Sequence, residues 1–230
     1  MGEVCNDKKA TRRINGTRIL LTLTSQDIFA LQKTVLLPGE AAIRQPRYVD
    51  NTASVGAVTQ EQNFEIRPAT SGDWPGIWSI LEPVIREGET FTWDRDTTEG
   101  EARDKWTKEA PGQTFVAVAR AGGKDAGRIL GTGEFHANQA GGGRHVANAG
   151  YMVGANNSGQ GIARALCAYS LEQAKAAGFR SMQYNAVVES NVRAVWLWQS
   201  MGFKILATVP EAFDHPEIGY VGLHVMYRKL

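Results

Sequence analysis

The chain has 230 residues, enough for one globular domain with an appendage, and its 43% hydrophobic and 21% charged residues can fill a core. With 25 Lys and Arg against 24 Asp and Glu, the net charge of +1 is too even to suggest a nucleic-acid footprint or an acidic partner. Cys5 and Cys167 make neither a disulfide framework nor a metal quartet, so no metal is expected, and Cys167 reads as a small core residue in an apolar helical stretch.

No apolar run approaches the ~20 residues of a membrane span. Gly2 opens the chain as a myristoylation site does, but Asn6 stands where Ser or Thr is needed. The basic residues Lys8, Lys9, Arg12, Arg13 and Arg18 are interrupted by Glu3 and Asp7 and come with little serine, unlike a transit peptide. A cytoplasmic protein with no membrane partner is the expectation.

Residues 1–62 differ in character from the rest and read as a partly ordered arm, with a strand at Ile19–Leu23 and a short helix at Ser25–Gln32. From Phe64 the pattern sharpens. Phe64–Pro68 alternates as a short strand; Thr70 or Ser71 caps a helix whose apolar residues are Ile77, Ile80, Leu81, Val84 and Ile85. A more polar helix spans Thr98 to Glu109, anchored by Trp106; Thr114–Arg120 and Arg128–His136 form a hairpin about Gly122, Gly123 and Gly127. After the Gly-rich run at 139–143 come a strand, His145–Val153, and a helix, Gly161–Ala177, stopped by Gly178. Arg180–Val188 is a strand, Asn191–Met201 a helix, and Lys204–Val209 and Tyr220–Arg228 close the domain. The order predicts an α/β (α+β) domain over 63–230: a mixed sheet of six to seven strands with helices on both faces.

The segment from Tyr151 to Arg164 runs from a strand through a Gly-punctuated loop into a helix. Main-chain amides at a helix start have no intrahelical partner, and the dipole there favours negative charge. Gly159, Gly161 and Ala163 let a large anion approach, so a diphosphate is a reasonable ligand; a helix capped by a Gly-rich turn is the plainer reading of the segment alone. A Walker loop would need Lys and Ser or Thr where Gln160 and Gly161 follow Gly159. A dinucleotide fingerprint from Gly159 would put its third small residue at Arg164, and the preceding strands do not open a βαβ unit.

Ser158-Gly159-Gln160-Gly161-Ile162-Ala163 resembles the pyrophosphate loop of the GCN5-related N-acetyltransferases (the GNAT superfamily). Asn191-x-x-Ala194-x-x-Leu197-Trp198-x-x-x-Gly202-Phe203 resembles that family's following helix. Asn148-Ala149-Gly150-Tyr151, Tyr184-Asn185-Ala186-Val187 and the tail from Gly219 to Tyr227 are similar to fungal acetyltransferases of proline analogues such as azetidine-2-carboxylate, and to bacterial phosphinothricin-type enzymes. The resemblance implies acetyl-CoA as cosubstrate, held by Met152, Val153, Ser158, Gly159, Gln160, Gly161, Ile162, Ala163, Arg164, Asn191 and Trp198. It implies Asn148 and Asn185 in a pocket for a small amine or amino acid, Asn191 beside the thioester, Phe91 and Trp93 on the acceptor-side loop, and a homodimer.

Three positions depart from the family pattern. Ser158 replaces the usual Arg or Gln, with Arg164 the expected compensation. Trp198 replaces a Tyr whose phenol protonates the leaving thiolate; indole N–H is no useful acid, but a thiol of pKa about 8.5 leaves without one, and Trp198 reads as core or cleft wall. Asn148 stands where some relatives carry a general-base Glu. Glu134 is the candidate base, acting through water, against a reading as a solvated strand residue. His136 and His145 are expected at the surface without metal-ligand company, Glu189 either tunes acceptor choice or caps a helix, and Trp78, Trp106 and Trp196 are assigned to the core. The alternatives to small-molecule acetylation are peptide or protein N-acetylation and a coenzyme A sensor without catalysis.

Overall fold

The computed structural model describes residues 9–14, 17–22, 63–122 and 125–230, and the chain divides into two units, Met1–Ala57 and Val58–Leu230. In the first, β1 (Lys9–Ile14) and β2 (Thr17–Thr22) form an antiparallel hairpin with Lys9 opposite Thr22. The expected strand at Ile19–Leu23 is thus real but begins two residues earlier and ends one earlier, and its partner β1 was not foreseen. The expected helix at Ser25–Gln32 lies outside the described residues.

The second unit is a seven-stranded sheet in the order β3-β4-β5-β6-β7-β9-β8. Its strands are β3 (Phe64–Pro68), β4 (Gln113–Ala119), β5 (Ile129–Ala137), β6 (Val146–Val153), β7 (Ser181–Val188), β8 (Lys204–His215) and β9 (Gly219–Lys229). All neighbours pair antiparallel except β6 and β7, which makes the sheet mixed, as expected. Side chains alternate across a strand, and β4 divides accordingly: Phe115 and Ala117 join one core, Val116 and Val118 the other. Helices α1 (Trp74–Glu87) and α2 (Glu99–Trp106) cover the second face through Ile77, Leu81, Ile85 and Trp106. Helices α3 (Ile162–Ala176) and α4 (Val192–Ser200) cover the first through Leu166, Cys167, Leu171 and Trp198. Cys167 is fully buried, the core role expected of it.

The helix ends follow local chemistry. Thr98 and Glu101 form a capping box at α2, with Thr98 N–H donating to Glu101 Oε2 at 2.8 Å. That helix stops at Trp106, three residues short of expectation, because Thr107 is extended and the Lys108 N–H turns to Thr114 Oγ1 on β4 at 2.9 Å. Before α1 a short 3-10 turn spans Ser71–Asp73, so the α-helix itself begins at Trp74. There Asp73 accepts from Thr70 N–H (2.7 Å) and from both Arg67 terminal nitrogens (2.7 and 2.8 Å). The Arg67 guanidinium holds the Asp73 carboxyl far below the usual carboxylate range.

A depressed carboxylate contributes stability that is present above its unfolded pKa and lost as pH falls through its folded one. Asp73→Asn is therefore expected to cost about 1–3 kcal/mol at pH 7, the scale of hydrogen bonds to a charged group. The gap to the parent should narrow as pH falls below about 3.9, the unfolded value. Thermal denaturation at several pH values checks this; a gap that widens in acid contradicts it.

Candidate active site

The parallel pairing of β6 with β7 lasts for two positions only, Val146 opposite Ser181 and Ala147 opposite Met182. Beyond them β6 stays with β5 as far as Val153, while β7 follows β9, so the two strands part. The gap opens a cleft of about 620 Å³ lined by both separated strand ends, by α4 and by the loop before α2. Asn148, Asn185 and Asn191, predicted together from three separate segments, all line it.

The parting leaves main-chain donors facing the gap. Gly154 N–H donates to Leu130 O on β5, so by strand alternation the amides of Ala149, Tyr151 and Val153 point toward β7. The Ala149 amide is taken by Asn148 Oδ1 at 2.9 Å, which leaves those of Tyr151 and Val153. Of the expected pair Met152–Val153, only Val153 offers its amide to the cleft; Met152 turns its own toward β5 and its side chain is buried.

Asn191 N-caps α4, accepting from Ala194 N–H at 3.2 Å. Asn148 and Asn191 thus commit their carbonyl oxygens to main chain and keep their NH2 groups for a ligand. Asn185 is exposed at the rim, bonded to Asn138 and Gln183. Glu189 neither caps α4 nor lines the cleft: its carboxylate accepts from Gly222 N–H at 3.0 Å on β9.

Glu134 is not a solvated strand residue: it is 6% exposed and lines the cleft. Gly150, opposite it on β6, has no Cβ, and Trp106 and the Glu134 carboxylate occupy the space a Cβ would face at 3.3 Å. His136 is also drawn in, with Nδ1 at 2.7 Å from Glu134 Oε2, whereas His145 is exposed as expected. Phe91, Trp93 and Trp106 form one wall, with ring centroids 6.0 to 6.2 Å apart. Lys105 and Lys108 complete that side, Lys105 Nζ lying 5.3 Å from the Trp93 ring centroid. Trp78 packs half-buried against the α1–α2 core, but Trp196, assigned to the core, is 66% exposed.

On the other face, Gly159 and Gly161 hold φ of 80° and 78°. A Cβ at either would meet open space, so the loop surface is open to a ligand. No side chain caps α3, whose first amides stay unfilled. Asn157, a residue with no signal in the sequence beyond its place in the loop, anchors the turn: Nδ2 donates to Leu130 O and Oδ1 accepts from Arg128. Ser158, Gly159, Gln160 and Gly161 are exposed, while the Ile162 side chain is core and Ala163 half-buried. Arg164, the expected compensation for Ser158, donates instead to Ser200 Oγ and Met201 Sδ on and just after α4. The guanidinium that reaches Ser158 is that of Arg193, at 3.1 Å from Oγ, a residue sequence reasoning missed. Unfilled amides beside a guanidinium suit a diphosphate.

Between loop and cleft, Trp198 is buried against Tyr151 and Tyr184, 5.1 and 5.4 Å away centroid to centroid. Burial raises both phenols well above their ordinary pKa and pushes the Cys167 thiol up. Cys167 is thus no nucleophile. Among the described residues no group of three or more His, Cys, Asp or Glu is placed to hold a metal, and no helix is long and apolar enough to cross a membrane.

Similar proteins share this architecture. A GCN5-related N-acetyltransferase from Kribbella flavida is 44% identical over 73% of this chain and 98% of its own, with a TM-score of 0.69. N-acetyltransferase aca1 of Schizosaccharomyces pombe is 27% identical over 139 residues, 56% of this chain; the match spans 66% of that curated relative's length. A phosphinothricin acetyltransferase (Pat) from Sinorhizobium meliloti, solved in complex with acetyl-CoA, has the same fold at 17% identity and a TM-score of 0.64 over 73% of this chain and 89% of its own. With residues 76–203 also matching the acetyltransferase (GNAT) family model, the parted strands and the open glycine loop fall into place: this chain belongs to the GNAT acetyltransferase family.

Proposed function

We propose that this protein transfers the acetyl group of acetyl-CoA to the amine of a small molecule, an amino acid or an analogue of one. The observation that carries the reading is the join of two half-sites through one gap in the sheet: open amides at Gly159–Gly161 on one face, and a cleft with paired polar groups on the other. Acetyl-CoA would supply the activated acyl group. The α3 amides and Arg193 grip its diphosphate, Asn191 lies beside the thioester, and Trp198 walls the approach. The Val153 amide faces the position where oxyanion charge develops. The acceptor sits against Phe91 and Trp93, with Lys105, Lys108 and the Asn148 NH2 to meet a carboxylate and Asn185 at the rim. Direct attack needs no enzyme nucleophile. The N-acetyltransferase and phosphinothricin acetyltransferase relatives agree with an amine acceptor.

The test is thiol release with azetidine-2-carboxylate, phosphinothricin and a peptide amine, alongside a thermal shift with acetyl-CoA. Turnover on the amino-acid analogues supports the reading, and turnover on the peptide alone replaces it with peptide acetylation. Binding without turnover on any amine favours a sensor, a reading motivated by Ser158 and Trp198 together, both departures from the family pattern. No binding of acetyl-CoA at millimolar levels removes all three.

Arg193 has its own test. Arg193→Ala is expected to weaken acetyl-CoA binding about five- to tenfold, near the 1–1.5 kcal/mol of a solvent-exposed charged contact to phosphate. Arg164→Ala should change it less than twofold. Calorimetry decides; equal effects of the two variants contradict the assignment.

A further inference from the structure

We propose that the proton acceptor for the substrate amine is His136, oriented by Glu134, which makes Glu134 a positioning residue. The proposal rests on the acetyl-transfer reading above and names the base that it leaves open.

Glu134 and His136 stand two residues apart on β5 and share one face of the sheet. His136 lies opposite Asn148 in register, and both line the cleft where β6 leaves β7. The Glu134 side chain is 8% exposed and that of His136 34%, so the carboxylate is the inner member and the ring meets the open space. An ionised carboxylate only accepts hydrogen bonds, so at 2.7 Å it holds the ring proton on Nδ1. The lone pair of the neutral ring is then on Nε2, and the ring's only protein hydrogen bond among the described residues runs through Nδ1. Glu134 itself lies under Trp106 and Gly150, which leaves the ring as the reachable base.

The other titratable side chains that line the cleft are Lys105 and Lys108, from α2 and the turn after it, on the ring's own side, and Tyr151 and Tyr184, whose hydroxyls bond one another in the core of the opposite face. The lysines are donors. Burial keeps both phenols protonated. None of the four competes as a base. In the step itself the acceptor ammonium gives one proton to Nε2, and its freed electron pair forms the bond to the acetyl carbon. The carbon–sulfur bond breaks with its electrons passing to sulfur. The nitrogen's second proton neutralises the thiolate, and the proton on Nε2 passes to solvent.

Three readouts test the assignment. First, His136→Ala should keep the thermal shift with acetyl-CoA while kcat/KM on azetidine-2-carboxylate falls about a hundredfold or more at pH 7, the scale of general-base catalysis. Second, that deficit should narrow as pH rises, because more of the amine is already neutral, and added imidazole should restore part of the rate. Third, long-range proton–nitrogen spectra of the parent should show the neutral His136 ring protonated at Nδ1, with a mixture of tautomers in Glu134→Gln. A parent-like rate in His136→Ala, or a ring protonated at Nε2, overturns the proposal. Failure of the parent to bind acetyl-CoA sinks the acetyl-transfer reading instead, a result separable from either.

Discussion

Trp106→Ala is expected to cost the Val58–Leu230 unit about 3–5 kcal/mol, the range for emptying a large aromatic site in a packed core. Trp106 is 1% exposed, and its Nε1–H donates to Thr132 Oγ1 at 3.0 Å. Thr132 is itself fully buried and passes its own proton to Phe115 O at 3.1 Å. Truncation therefore empties a cavity and also leaves a buried acceptor unmet, two penalties of the same sign. For a domain of this size about 2–4 °C of melting temperature follows each kcal/mol, so a loss of roughly 10 °C is expected. Trp106→Phe refills most of the volume and should recover the larger part. The indole also walls the cleft against Gly150, so the alanine variant should bind the acceptor less well even when folded. A fall of under about 3 °C by calorimetry, less than the smallest penalty allows, would show that the site collapses and Trp106 is no anchor.

Gly161→Val is expected to weaken acetyl-CoA binding about a hundredfold, close to 2.8 kcal/mol. Gly161 holds φ at 78° as the residue before α3, a conformation a β-branched side chain adopts only with strain of about 1–3 kcal/mol. Relief of that strain turns the loop amides away from the ligand, and the new side chain stands in the open space that a diphosphate would fill. Gly161→Ala should lie between the two. Because the loop is exposed, the unliganded variant should lose only the backbone strain in stability, and comparing free and liganded melting separates the effects. Unchanged affinity in the folded valine variant would remove the helix start as the diphosphate site.

The elements that were legible are those specified locally. The Thr98–Glu101 box, the glycines at 161, 178 and 202 with their positive φ, and the apolar spacing of Ile77, Ile80 and Leu81 each act within a few residues. The error at Trp196 was avoidable on the same terms. Residues two apart on a helix differ by about 200°, so Trp196 and Trp198 cannot both face the sheet, and Trp198 is the one buried. Glu134 was harder. The sequence Gly131-Thr132-Gly133-Glu134 has the small and polar character of a half-exposed strand, yet all four are buried: α2 lays Trp106 over Thr132 and Glu134, while Gly131 faces Ile162 and Leu166 of α3 and Gly133 faces Phe115 and Tyr151. Nothing on β5 itself reports that cover.

Composition, helix spacing and the glycine pattern were enough for the fold class and for an open glycine loop at a helix start, since each expresses energies between near neighbours in the chain. Tertiary packing was needed to set His136 opposite Asn148, to exchange Arg164 for Arg193 at Ser158, and to turn Glu189 toward Gly222. Those pairs are joined by hydrogen-bond register and by the early parting of β6 from β7. Such contacts form only when distant segments meet, and no spacing along the chain encodes them.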